Sequence, residues 1–259
     1  MWLVTPKEHW PPIGKLGLSM KLVKTTKEGL QHFAYQHSPG YQNIEKKFLE
    51  AVESLDPDNI VAIANEHPYH VDTLIQLSDI CKLSEDLAMA AELIERALHS
   101  LESAFHPLFN LAKGNMRLDY KQQENRAFYI TLFKHLTYVG QRACYRTALE
   151  FCKLILALDP DDDPLAIVLI IDFYALRSRE FTWFLDMVEE FDPKRNLSAL
   201  PNIAFSKAVA LFQLSDPAAD GQLQEALLMF PSVLIPLLEK CGVQPDPKTN
   251  SSDYFRAIW

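Results

Sequence analysis

Glycine is scarce in this sequence of 259 residues. It occurs 8 times, where average usage of about 7% would give about 18. None of the glycine-rich motifs of nucleotide loops, dinucleotide loops or hydrolase nucleophiles occurs, namely G-x-x-x-x-G-K-[ST], G-x-G-x-x-G and G-x-S-x-G. We therefore expect a protein that is not an enzyme, with no catalytic residues and no cofactor. The composition favours helices instead, because Leu, Ala and Glu are abundant.

Cysteine and long apolar runs are also scarce. The four cysteines, Cys81, Cys144, Cys152 and Cys241, form no C-x-x-C pair, which is typical of reduced thiols in the cytoplasm or the nucleus. The longest apolar run, Leu165–Ile171, has seven residues and is too short to span a bilayer. The first residues do not resemble a signal peptide. We expect a cytoplasmic or nuclear protein, or one found in both, that does not enter a membrane.

Basic residues are few outside the start of the chain. The net charge is −9; residues 1–50 carry 7 basic and 4 acidic side chains, and the other 209 carry 18 and 30, or −12. A nucleic-acid-binding face needs clustered Lys and Arg. We therefore expect no direct binding of DNA by this chain.

The segment from about residue 41 to 231 has a helical and repetitive pattern. Leu-Asp-Pro-Asp ends a helical stretch at 55–58 and again at 158–161, about three 34-residue units apart. Ala148 and Cys152 have the small and bulky spacing of a tetratricopeptide second helix, and so do Ala90 and Ile94. Together these patterns predict an all-α fold, a tetratricopeptide-like solenoid of antiparallel helix pairs.

The ends of the chain differ from this body. Trp10-Pro11-Pro12 excludes a helix there, and the runs Ser19–Thr25 and Leu30–Gln36 predict a β-hairpin. The sequence therefore divides into an extended or hairpin segment (1–40), a helical-repeat domain (41–231) and a partly irregular tail (232–259).

Two irregularities interrupt the repeat pattern. Ala90 and Ala148 are 58 residues apart, 24 more than one period, which predicts an insertion around Phe105–Asn125. Asp192-Pro193 predicts a helix break of the same kind as the earlier Asp-Pro turns.

Two polar clusters are candidates for metal sites. His67 and His70 lie three residues apart with Asp72 close by, but zinc needs further ligands and no cysteine pair supplies them. The acidic run Asp159–Asp163 lacks the glycine and the distal Glu of a calcium loop, and capping of the next helix accounts for it. We expect no metal.

The repeat alignment also predicts a partner-binding groove. If Leu74 and Leu77 face the partner helix, the opposite side of that helix and of the next first helix lines a concave surface. Its candidate residues are Asp72, Ile75, Asp79, Lys82, Ile130, Phe133, Lys134 and Thr137. The alternative is that residues 1–40 fill this groove, because Trp2 and Trp10 must pack somewhere.

Several strings resemble the transcription factor 25 family over nearly the whole chain. They are His67–Leu74 (HPYHVDTL), Ala104–Phe109 (AFHPLF), Arg117–Tyr120 (RLDY), Thr147–Leu156 (TALEFCKLIL) and Asn196–Asn202 (NLSALPN). The resemblance implies a non-catalytic scaffold subunit of the ribosome quality control complex. Its partners would be a ring-type ubiquitin ligase, the large ribosomal subunit and ubiquitin, and it would assist ubiquitination that marks nascent chains for degradation. The alternative that the family name carries is a nuclear transcriptional repressor.

Overall fold

The computed structural model describes residues 3–256, so Trp2 lies outside the described residues. The chain divides into two compact units, 1–167 and 168–259. The boundary falls inside the range 41–231, which the sequence pattern treats as one domain. The three-part division made from the sequence stays a prediction.

The first unit combines a small sheet with six helices among its described residues. Its elements are β1 (Leu18–Thr25), β2 (Gln31–His37), α1 (Pro39–Glu53), α2 (Pro57–Glu66), α3 (Val71–Leu83), α4 (Leu87–Ser103), β3 (Met116–Leu118), α5 (Gln123–Gln141) and α6 (Tyr145–Leu158). The mainly helical prediction is confirmed. The description as all-α needs a correction, because the hairpin belongs to a three-stranded sheet.

The sheet joins the predicted hairpin to the insertion. β1 and β2 pair antiparallel, as predicted, and β3 adds to β2 in parallel. β3 comes from the segment between α4 and α5, where a Phe109 ring also packs edge-on against Phe33 with centroids 5.0 Å apart. An isolated two-stranded hairpin is marginal in water. The insertion therefore supplies the third strand and the apolar contact that the hairpin needs.

A buried asparagine fixes the sheet on α5. The Asn125 side-chain oxygen accepts from the Tyr35 backbone amide at 2.9 Å, and its NH2 group donates to the Asp119 carbonyl at 2.8 Å. The Tyr129 hydroxyl donates to the Leu118 carbonyl at 2.5 Å. These bonds satisfy polar groups that burial would otherwise leave unpaired.

The helix pairs cross at the small residues that the sequence indicates. α3 packs against α4, and α5 packs against α6. Ala90, Ile94, Ala148 and Cys152 are all 0% exposed, and burial raises the pKa of the Cys152 thiol to about 12. Cys152 therefore acts as a small apolar residue. The extension of these pairs into a regular solenoid stays a prediction.

Two glutamates hold the start of the chain along α4. Glu92 accepts hydrogen bonds from Lys7 at 2.8 Å, His9 at 2.6 Å and Trp10 at 3.0 Å. The bond from Lys7 is the main reason that the pKa of Glu92 falls to about 2. Farther along α4, Glu102 accepts from the Leu3 amide at 2.6 Å. Residues 3–10 are thus a packed part of the first unit.

The second unit is helical in its described residues. Its helices are α7 (Ile171–Arg177), α8 (Phe181–Arg195), α9 (Pro201–Gln213), α10 (Ala219–Met229), α11 (Leu234–Lys240), α12 (Pro247–Ser251) and α13 (Asp253–Arg256). The predicted break at Asp192-Pro193 is wrong, since α8 continues to Arg195. The Asp192 carboxylate instead accepts from the Ser198 amide at 2.7 Å and caps the turn that follows.

No single helix within residues 3–256 has the length and apolar character to cross a membrane. α10 and the segment Pro231–Lys240 have the required length and apolar character only when they are taken together, and the chain bends by 99° between them.

The same tight turn recurs between successive helices of both units. One residue with a left-handed backbone, at φ of 56° to 63°, separates α1 from α2, α3 from α4, α5 from α6, α7 from α8 and α9 from α10. These residues are Leu55, Glu85, Ala143, Arg179 and Ser215. After α3, Asp86 N donates to Cys81 O and Glu85 N to Lys82 O, the Schellman pattern of a helix end. None of the five is glycine, the usual residue at such a position.

We predict that Ala143→Gly stabilises the protein. Ala143 is exposed and has φ of 60°, where its Cβ is strained and glycine is not. The expected gain in the free energy of unfolding is about 0.5–1 kcal/mol, measured by urea denaturation. The matched control is Ala62→Gly, at an exposed position inside α2, which should lose a similar amount. Equal losses of unfolding free energy in the two variants would show that the left-handed backbone at Ala143 is not strained.

We also predict that His135 makes stability depend on pH. This side chain of α5 is 7% exposed and lies edge-on to Phe151, with ring centroids 4.7 Å apart. Burial lowers its pKa to about 4. Between that value and about 6.5 the unfolded chain binds a proton that the native state does not, so stability falls as pH falls.

The expected loss from His135 between pH 7 and pH 5 is about 2 kcal/mol. Urea denaturation of the wild type and of His135→Leu at both pH values isolates this contribution. The variant should show a smaller difference between the two pH values. An identical difference in the two proteins would show that His135 does not titrate with unfolding.

Candidate functional site: the cleft between α3 and α5

A cleft of about 230 Å³ opens between α3 and α5 in the first unit. The lining residues are Lys82, Ile130, Phe133, Lys134, Thr137, Tyr138 and Leu165. Pockets for drug-sized ligands commonly hold about 300–1,000 Å³. The cleft is smaller than that and suits individual side chains of a protein partner.

The structure brings most of the predicted groove residues to this cleft. Lys82 and the four α5 residues Ile130, Phe133, Lys134 and Thr137 all line it. The sequence analysis missed Tyr138 and Leu165. Tyr138 lies four positions after Lys134, so helical spacing could have found it. Leu165 follows α6 and reaches the cleft only through tertiary packing. No local sequence pattern therefore predicts its position in the cleft.

An ion pair joins α3 and α5 beside the cleft. Lys134 Nζ of α5 lies 2.5 Å from Asp79 Oδ1 of α3, and the two side chains are 23% and 43% exposed. Lys82, one turn further along α3, is exposed and forms no ion pair with a described residue. The rim therefore offers one unneutralised positive charge.

The floor of the cleft is apolar and well packed. Ile75 does not line the cleft but packs behind it, against the buried cluster of Ala90, Ile94 and Tyr138. The Tyr138 hydroxyl lies 3.1 Å from Ser78 Oγ, which donates to the Ala90 carbonyl at 2.9 Å. These contacts hold the walls at a fixed spacing.

The acidic run after α6 supports one wall. Asp163 Oδ1 accepts from the Ile167 amide at 2.9 Å, and Asp162 pairs with Lys121 at 3.0 Å. The bond from Ile167 matches the capping role expected for the run and fixes the backbone on both sides of Leu165.

The described N-terminal segment does not line the cleft. Residues 3–10 lie along α4 through Glu92 and Glu102, and the Tyr69 hydroxyl donates to the Pro11 carbonyl. No cleft-lining residue falls within residues 3–40. This location disfavours the alternative for the part of the groove that Lys82 and α5 line, whereas Asp72 lies near His37 of the hairpin.

Asp72, the first residue of the predicted stripe, lies in a different cluster. Its carboxylate, that of Glu45 on α1 and the His70 imidazole have ligand atoms all within 4.8 Å of one another. Burial, followed by the Glu45 carboxyl, raises the pKa of Asp72, and burial lowers the pKa of His70. His67 instead faces Glu66 at 3.4 Å. The sequence analysis missed Glu45, because its approach depends on how α1 packs.

Comparison with known proteins gives one consistent family. The family model described as "Transcriptional repressor TCF25" matches residues 33–258. A human protein named "Ribosome quality control complex subunit TCF25" is 50% identical over 267 residues, 98% of this chain and 39% of the relative. No solved structure matches.

Two fungal relatives carry different names. "Ribosome quality control complex subunit 1" of Schizosaccharomyces pombe is 36% identical over 265 residues, 99% of this chain and 40% of the relative. "Probable transcription factor claV" of Ampulloclitocybe clavipes is 32% identical over 249 residues, 89% of this chain and 32% of the relative. The chain thus spans about two fifths of the length of the first of these relatives. On the family model and these identities, the chain belongs to the TCF25 family.

Proposed function

We propose that this chain is the helical docking core of a ribosome quality control subunit. In this role it binds a partner segment in the cleft between α3 and α5 and performs no bond chemistry of its own. The observation that carries the proposal is the cleft, with an apolar floor, Phe133 and Ile130 on one wall and the exposed Lys82 on its rim. The names of the human and fission-yeast relatives support ribosome quality control as the process in which the chain acts.

The chemistry of the cleft favours a protein segment with apolar and acidic side chains. Aromatic residues in a pocket commonly carry much of the binding energy at an interface. Charges at the rim set orientation and partner choice. Lys82 would pair with an acidic side chain of the partner, while Lys134 is already paired with Asp79.

A scaffold can assist ubiquitination by orientation alone. If it holds a ring-type ubiquitin ligase, ubiquitin and a large ribosomal subunit together, one acceptor lysine gains effective concentration over others. No catalytic residue or cofactor is then needed from this chain. The same proposal gives the protein a cytoplasmic or nuclear location, where its four free cysteines remain reduced.

A second candidate function is transcriptional repression through protein contacts. The description of the family model and the name of the Ampulloclitocybe relative favour it. Direct DNA binding is disfavoured by the −9 charge of the chain. The same cleft would then bind a nuclear protein.

The test is affinity purification from cells stalled in translation, comparing the wild type with the double variant Lys82→Glu, Phe133→Ala. We expect the variant to recover about tenfold less large-subunit protein and ubiquitin ligase, because loss of an aromatic anchor and a rim charge costs 1–2 kcal/mol. Lys82 is a cleaner probe than Asp79, whose reversal would also break the ion pair to Lys134.

The matched control is Lys27→Glu, Phe212→Ala, which changes an exposed lysine in the hairpin turn and an exposed phenylalanine of α9. This variant should recover as much as the wild type. Equal recovery by both variants would remove the cleft from the proposal. Recovery of chromatin proteins with no ribosomal proteins would favour the transcriptional alternative.

A further inference from the structure

The cluster of Glu45, His70 and Asp72 joins two parts of the first unit, α1 and the start of α3. Glu45 lies on α1, His70 precedes the first residue of α3, and Asp72 lies in the first turn of α3. Their ligand atoms lie within 4.8 Å of one another. Among the described residues, His70 is the only basic side chain within ion-pair distance of Glu45. Two carboxylates therefore approach each other without a lysine or arginine to balance them.

The His70 imidazole is buried with one nitrogen unsatisfied. Its side chain is 0% exposed, and Nε2 has no hydrogen-bond partner. The nearest carboxylate oxygen, Glu45 Oε1, lies 3.4 Å from Nε2, beyond the usual hydrogen-bond range. An unpaired polar atom at this depth costs free energy. The separations of the ligand atoms, all within 4.8 Å, are compatible with a positive charge that all three groups contact.

The other imidazole nitrogen is already oriented. His70 Nδ1 lies 2.7 Å from Thr73 Oγ1, and Thr73 is itself buried. A hydrogen bond to the second nitrogen is the usual means of fixing the ring of a metal-binding histidine. The ring also packs between Tyr41 and Phe48, with centroids 4.9 Å and 5.7 Å away. Nε2 therefore faces Glu45, and the hydrogen bond at Nδ1 opposes rotation of the ring.

We propose that Glu45, His70 and Asp72 bind a divalent transition-metal ion, with Zn²⁺ as the best match. One imidazole nitrogen and two carboxylate oxygens suit zinc, whereas magnesium and calcium prefer oxygen ligands alone. A water molecule completes a tetrahedral shell, and the Glu45 side chain, 24% exposed, gives the ion a path to solvent. The ion fixes α1 to the start of α3.

This proposal revises the sequence-based expectation of no metal. That expectation depended on the lack of further ligands beyond His67, His70 and Asp72, with no cysteine pair to supply them. The structure separates the two histidines and supplies Glu45 from α1 instead. The competing explanation is a proton shared between the Asp72 and Glu45 carboxyl groups, which would need no metal.

The experiment titrates ZnCl2 into chelator-treated protein and follows binding by calorimetry and the melting temperature by differential scanning fluorimetry. We expect one Zn²⁺ per chain and a rise in melting temperature, since an ion that binds only the folded state stabilises it. Glu45→Gln and Asp72→Asn keep the shape of each side chain and should each weaken Zn²⁺ binding about 100-fold or more. MgCl2 should give neither effect.

The matched controls are His67→Gln and Glu50→Gln, a neighbouring histidine and an exposed glutamate of α1. Both should bind Zn²⁺ as the wild type does. Absence of Zn²⁺ binding by the wild type would overturn the proposal and leave the protonated pair. Binding that survives in both Glu45→Gln and Asp72→Asn would overturn it as well, because the ion would then lie elsewhere. Because Glu45 is partly exposed, Glu45→Gln still tests the proposal if Asp72→Asn fails to fold.

Discussion

The left-handed residue between successive helices is the constraint on which the rest of the fold depends. In each of the five turns that contain it, this residue reverses the chain within a few residues, so the first helix of the pair packs on the second. Once α3 is paired with α4 and α5 with α6, the small residues Ala90 and Ala148 allow close crossing. α3 and α5 then meet along the Asp79–Lys134 ion pair, and the cleft lies beside it.

The two ends of α3 differ in how far neighbouring elements bury them. At its start, α1 and the hairpin lie close, so Asp72 is enclosed with Glu45 and His70. Toward the end of α3, no residue of α1 or of the hairpin lines the cleft, and Lys82 is exposed. A stripe that is continuous on a helical wheel is thus divided into a partly buried polar cluster and an exposed rim. Burial, and not helical spacing, decides which residues can meet a partner.

Local patterns predicted the parts of the fold that depend on neighbours in sequence. The hairpin follows from two alternating runs and a turn, and the buried faces of Leu74, Ala90 and Ala148 follow from helical spacing. β3 was missed because three residues carry no strand signal before β2 is in place. The left-handed turns were missed because none contains glycine. Helical spacing alone predicted four lining residues of the cleft on α5. The positions of Leu165 in the cleft and of Glu45 beside His70 depend on tertiary packing and were missed.

The central claim is that the cleft between α3 and α5 binds a partner protein. Site-specific photocrosslinking in cells stalled in translation tests it most directly, with the photoreactive side chain placed at position 82 in one variant and at position 212 in another. Both positions are exposed. The account predicts that position 82 captures a protein of the ribosome–ligase assembly and that position 212 does not. Capture at 212 with none at 82 would contradict it.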